Sequence, residues 1–202
     1  MKFIGLCGGS GSGKRVVSSL FASRGIPNID TDAIYRQIIS GDSLCTRALS
    51  DEFGKKIISQ DGSVNRRVLA DIVFSSENSD YKLKRLNSIA HTFILDETRK
   101  RLDELKTLGF EAAIVDAPVL FESGFDKECD GVLCVYAPRE VRIARIMERD
   151  SISREQAERR IDAQASDAYL LSRSGYHICN EGDVEALRAR VAEIAQKIKC
   201  EA

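Results

Sequence analysis

The stretch KFIGLCGGSGSGKRVVSSLF, Lys2 to Phe21, constrains the fold more than any other part of the chain. A short apolar run ends on glycine, as a buried strand does. The glycines Gly8, Gly9, Gly11 and Gly13 follow, and then a helix is expected from Lys14 to Arg24. Its apolar positions Val16, Val17, Leu20 and Phe21 recur at helical spacing, and Gly25-Ile26-Pro27 stops it. A strand, a glycine turn and a helix in this order make a nest of backbone N–H groups at a helix N-terminus. That is a ready site for phosphate oxygens. Gly8, Gly13 and Lys14 fit the pattern Gly, four residues, Gly, Lys, and Lys14 is placed to reach terminal phosphates as a point charge. The pattern then calls for a serine or threonine to hold magnesium, and the chain has Arg15.

The remaining pattern alternates strands with helices. Strands are expected at IPNID, EAAIVDAP, GVLCVYAP and GYHIC. Helices are expected at REVRIARIMERD, at SREQAERRIDAQ (Ser153 and Gln156 in capping-box spacing), and at the C-terminus. There Val184, Leu187, Val191, Ile194 and Ile198 make one stripe. This argues for an α/β fold, a parallel five-stranded sheet with helices on both faces. The middle, from about Ala33 to Leu108, reads as helical and is too long for one crossover, so it is expected to be an inserted subdomain.

With 202 residues, 43% of them hydrophobic, the chain suits one globular unit with an insertion. A net charge of -1 gives no basic surface for nucleic acid, and no apolar run is long enough to span a membrane. Six scattered cysteines without a CxxC pair, and only two histidines, point to reduced thiols in a cytoplasmic protein rather than to zinc.

Three further groups of residues carry possible chemistry. Asp30 and Asp32 follow a strand, where carboxylates face the ligand crevice of such sheets. Either could accept a proton or hold magnesium through water, and equally Asp32 could cap a helix starting at Ala33. Asp116 closes an apolar strand, the usual place of a magnesium-linked acid beside a phosphate loop. Arg139, Arg142, Arg145 and Arg149 fall along one helical side, with Arg154, Arg159 and Arg160 close behind. As a group they suit a lid over a transferring phosphoryl group; singly they suit a salt-bridged surface. His91 lies in the long helix near Leu95 and Leu102 and reads as a half-buried packing residue.

Taken together, GLCGGSGSGK, GIPNIDTDAIYRQI, DGSVNRRVLADIVF, LNSIAH, DAPVLFESG, RIMERDSISREQAERRIDAQ and CNEG resemble the dephospho-coenzyme A kinases over nearly the full length. The resemblance implies a three-layer P-loop kinase core at about residues 1–31, 109–148 and 165–202, a helical acceptor-binding insertion at about 32–108, and a small helical lid at about 149–164. It implies transfer of phosphate from ATP, with magnesium, to the ribose 3'-hydroxyl of dephospho-coenzyme A. Carried over by position, Gly8, Gly9, Ser10, Gly11, Ser12, Gly13 and Lys14 bind ATP phosphates, with Arg15 and Val16 at the end of the loop. Asp32 becomes the general base and Arg145 a phosphate or nucleotide contact. Asn180 falls near the adenine, and His91 and Asp116 fall on the acceptor side; Asp30 and Asp116 are candidates to hold magnesium through water. The proline usual after the histidine is Thr92 here, and no hydroxyl replaces the one lost at Arg15.

The partners implied are dephospho-coenzyme A and no membrane or nucleic acid, with a monomer or weak oligomer. Arg15 leaves three outcomes open: magnesium held by ATP, water and carboxylates; Arg15 contacting phosphate itself; or a nucleotide site that catalyses poorly. A different P-loop kinase of small molecules or nucleotides is the remaining alternative.

Overall fold

The computed structural model describes residues 1–74 and 78–200. Its elements run β1 (Lys2–Cys7), α1 (Lys14–Ala22), β2 (Asn28–Asp30), α2 (Thr31–Ile38), α3 (Leu44–Phe53), α4 (Arg66–Phe74) and α5 (Ser79–Thr107). Then come β3 (Ala112–Asp116), β4 (Gly131–Tyr136), α6 (Arg139–Asp150), α7 (Arg154–Asp162), α8 (Asp167–Ser172), β5 (Tyr176–Cys179) and α9 (Val184–Cys200). The five strands form one sheet in the order β2-β3-β1-β4-β5. β1 pairs in parallel with β3 and β4, and β4 with β5. Expected positions at 75–77 and 201–202 lie outside the described residues.

The central residues of β1, β3 and β4 are apolar without a break because both faces of the sheet are covered there. Ile4, Leu6, Ala112, Ile114, Leu133, Val135 and Ile178 form one core with Val17 and Phe21 of α1 and with Leu187, Val191, Ile194 and Ile198 of α9. Two expected members of the helical stripes stay out of this core: Val16 is 49% and Val184 52% exposed. Each lies within the first turn of its helix.

Packing divides the chain into two compact units. One holds Met1–Ile29 and the chain from Leu102 onward; the other is Asp30–Arg101. The second unit has its own apolar centre, with Ile39, Cys45, Leu49, Phe53, Ile57, Val64, Leu69 and Val73 buried against half-buried residues of α5 such as Leu86 and Phe93. Ser43 caps α3 through the Thr46 N–H, and Asn65 accepts from the Val68 N–H at the start of α4. In the first unit, α7 opens with the capping box expected at Ser153 and Gln156 and packs on α6 through Ile143, Ile146, Ala157 and Ile161. The six-residue helix α8 was not foreseen; its only sequence signal is Ser166, which caps it through the Tyr169 N–H.

Candidate active site

The glycine loop leaves β1 at Gly8, where a side chain is impossible. Gly8 has φ 146°, and a Cβ there would lie 2.1 Å from the Val135 carbonyl oxygen on β4. Gly13, at φ 90°, caps α1 with no side-chain cap, so the first N–H groups of that helix stay open to a ligand.

Three consecutive carbonyls of the loop are held from behind. Arg142 Nε donates to the Ser10 oxygen at 2.9 Å, Arg145 Nη1 to the Gly11 oxygen at 3.2 Å, and Asn180 Nδ2 to the Ser12 oxygen at 2.9 Å. In a planar trans peptide the C=O and the next N–H point opposite ways. Fixing these three oxygens therefore turns the N–H groups of Gly11, Ser12 and Gly13 to the other side. Ser12 N–H closes a turn onto the Gly9 oxygen at 3.1 Å. The N–H groups of Gly11, Gly13, Lys14 and Arg15 donate to no described residue. Ser12 Oγ is buried without a hydrogen-bond partner among the described residues. A cradle of unused donors with an orphaned hydroxyl and no room for side chains fits the phosphates of a nucleotide.

Lys14 Nζ lies 2.7 Å from Asp116 Oδ1, with both side chains less than a fifth exposed. The register explains the pair: Asp116 at the end of β3 lies opposite Leu6 of β1, so its carboxylate stands beside the loop that β1 feeds. The sequence places Asp116 beside the phosphate loop, but its pairing with Lys14 comes from the structure alone.

Magnesium is a different matter. Asp116 is engaged by Lys14, and no cluster of three or more metal-binding side chains exists among the described residues. Arg15 is exposed where a hydroxyl would hold the ion, and its guanidinium has no partner among the described residues. Ser18 and Ser19 both bond back to the Arg15 carbonyl, at 3.0 and 2.9 Å, so neither replaces the lost ligand.

The arginines of α6 do not share one task. Arg142 is 3% exposed and Arg145 half-buried, and both brace the loop; Arg145 also donates to the Asn180 carbonyl at 3.1 Å. The others form surface ion pairs, as expected of each arginine taken singly. Arg139 binds Asp162, Arg149 and Arg160 bind Asp150, Arg154 binds Glu140 and Glu158, and Arg159 binds Glu155. The Arg149 guanidinium holds the Asp150 carboxyl below the usual carboxylate range. The opposing carboxylates lie within reach on the same or the neighbouring helix, which spacing within α6 did not reveal. Asn180 is buried behind the loop. Just before the loop, Cys7 is the register partner of Cys134, and a hydrogen bond from that thiol keeps Cys7 below the ordinary thiol range despite burial.

Asp30, Asp32 and His91 belong to the other compact unit. The cap of α2 is Asp30, whose Oδ1 accepts from the Ala33 N–H at 3.0 Å, while Arg36 lies 3.8 Å from Oδ2. The helix therefore begins at Thr31 rather than Ala33, and the capping role expected of Asp32 belongs to Asp30, two residues earlier. Asp32 is exposed in the first turn, and His91 is half-buried on α5.

The comparisons with known proteins decide the family. The model of the dephospho-CoA kinase family matches residues 2–186. The chain belongs to that family. A dephospho-CoA kinase of Latilactobacillus sakei is 34% identical over 97% of this chain and 95% of its own. A Thermus thermophilus crystal structure superposes with a TM-score of 0.77 at 32% identity, covering 96% of this chain and 97% of the other. The dephospho-CoA kinase of Campylobacter jejuni gives 0.70 at 25% identity, over 100% and 99%.

In this member of the dephospho-CoA kinase family, Gly13 tests the cradle. A Cβ there would lie 2.1 Å from Asn180 Nδ2 and would push away the group that holds the Ser12 carbonyl. Left-handed strain of about 1–3 kcal/mol adds to the clash. Gly13→Ala should weaken ATP binding about tenfold or more in calorimetric titration; unchanged affinity would mean that the loop does not depend on this close approach.

Proposed function

We propose that this chain transfers the γ-phosphoryl group of ATP to the ribose 3'-hydroxyl of dephospho-coenzyme A, giving coenzyme A and ADP, the last step of coenzyme A synthesis. The observation that carries the reading is the phosphate cradle in a chain that matches the dephospho-CoA kinase family over residues 2–186.

The loop N–H groups of Gly11, Gly13, Lys14 and Arg15 bind the phosphate oxygens, and Lys14 neutralises charge at the terminal phosphates. Until the nucleotide arrives, Asp116 keeps the Lys14 ammonium at the loop. ATP supplies the phosphoryl group; magnesium, when bound, would offset the charge of its phosphates. Asp32 is assigned the general-base role on the acceptor hydroxyl; Asp30 already caps α2, and Asp32 is exposed. Arg145 acts by holding the Gly11 carbonyl, one place removed from the phosphates. His91 is assigned to acceptor binding. The helix α7, with its paired arginines, is assigned to the lid. Among the described residues no helix is long and apolar enough to cross a membrane, and the six cysteines are free, which suits a reducing cytoplasm.

ADP release should depend on dephospho-coenzyme A, and Asp32→Asn should lower turnover about a hundredfold while ATP binding stays unchanged. Equal ADP release with and without the acceptor would remove the assignment; near-normal turnover of Asp32→Asn would remove the general base.

Arg15 supports a slowed enzyme. It removes one oxygen ligand and adds a positive charge where a divalent ion would sit. A loss of about 1–3 kcal/mol in the transition state lowers the rate roughly ten- to a hundredfold. Arg15→Ser should raise turnover and reduce the magnesium concentration needed for half-maximal rate. A slower Arg15→Ser enzyme at saturating magnesium would show instead that the guanidinium clamps the phosphates.

A further inference from the structure

The guanidinium of Arg142 makes three contacts that no single other side chain could make. It is almost fully buried, 3% exposed, on the face of α6 turned to the glycine loop. Nε donates to the Ser10 carbonyl at 2.9 Å, Nη1 to Asp167 Oδ1 at 2.8 Å, and Nη2 approaches Gln164 Oε1 at 3.5 Å. Gln164 in turn holds Ser10 from the other side: its Oε1 accepts from the Ser10 N–H at 2.8 Å, and its Nε2 lies 3.4 Å from Ser10 Oγ. The plane of the arginine lies against Gly9, where a Cβ would come within 2.2 Å of Nη2. One charged group thus ties together the phosphate loop, the end of α7 and the start of α8.

We propose that Arg142 is the positioning residue of the phosphate loop. By holding the Ser10 oxygen outward it fixes the Ser10–Gly11 peptide, and with it the direction in which the Gly11 N–H is presented to the nucleotide. Asp167 neutralises the guanidinium, so its effect is one of shape and not of added positive field. Through Gln164 the same residue links the loop to the segment that follows α7, so that any movement of α7 is felt at Ser10. An arginine is required because the task needs a planar fork with donors in different directions. A lysine could keep the ion pair with Asp167 but could not also reach the Ser10 carbonyl. The inference rests on the loop being the nucleotide site, and not on the identity of the acceptor.

The test is calorimetric titration of the full chain with ATP alone, together with thermal unfolding and the KM for dephospho-coenzyme A. Arg142→Lys should unfold close to the wild-type temperature, because the ion pair remains. It should bind ATP about tenfold or more weakly, the effect of losing one well-placed hydrogen bond to a charged ligand. Its KM for dephospho-coenzyme A should stay within about twofold of wild type. Gln164→Ala, an exposed position that does not threaten folding, should show a smaller loss of ATP affinity. The double variant should lose less than the sum of the two, since both act on Ser10. A folded Arg142→Lys protein with wild-type ATP affinity would overturn the proposal. So would equal losses for ATP and acceptor, which would make Arg142 a general support of the fold. If Arg142→Lys does not fold, unchanged ATP affinity in Gln164→Ala overturns it. Wild-type protein that binds ATP but does not phosphorylate dephospho-coenzyme A would remove the assigned reaction and leave the role of Arg142 intact.

Discussion

The structure depends on three carbonyl oxygens that face away from the ligand. A phosphate nest is an arrangement of N–H groups, and N–H groups have no independent orientation; each is set by the carbonyl across the same peptide. Arg142, Arg145 and Asn180 bind the oxygens of Ser10, Gly11 and Ser12 in turn. All three braces come from elements that follow β4, far along the chain from the loop. The sheet brings them there: β4 lies beside β1 in parallel register, Cys7 opposite Cys134, so α6, which follows β4, meets the loop that follows β1. A loop rich in glycine is entropically costly to order, and the braces are what hold it in one shape.

The same register brings the charge pair together. Asp116 ends β3 opposite Leu6, and Lys14 reaches it across the loop. One side of the loop is therefore governed by β3 and the other by the elements after β4. This is the crevice at the carboxyl ends of a parallel sheet where ligands commonly bind, since the chain leaves neighbouring strands in different directions.

Much of this could be read in the sequence because it rests on local pattern. The strand before Gly8, the helix from Lys14, the capping box at Ser153 and the strand end at Asp116 are all short-range features, and the structure has them. What could not be read depends on distant partners. Arg142 and Arg145 sit in the same helical stripe as Arg139 and Arg149, yet only the first two find backbone carbonyls; the others meet carboxylates. The signal that separates them is weak: Arg142 and Arg145 flank the buried Ile143 and Ile146 on α6. Spacing offers Asp32 as the cap of a helix starting at Ala33; the cap is Asp30, whose backbone is already extended at the end of β2, and the helix starts at Thr31. The departure at Arg15 was visible from the start, and the structure adds that Ser18 and Ser19 spend their hydroxyls on its carbonyl.

The loop, braced from behind, offers four N–H groups to phosphate. Amide NMR of the isotope-labelled protein during titration with ATP tests it most directly. The expected result is large, saturable shifts for the N–H groups of Gly11, Gly13, Lys14 and Arg15, with a much smaller change for Ser12, whose N–H stays on the Gly9 carbonyl. Shifts that bypass these four amides, or that are as large at Ser12 as at its neighbours, would contradict it.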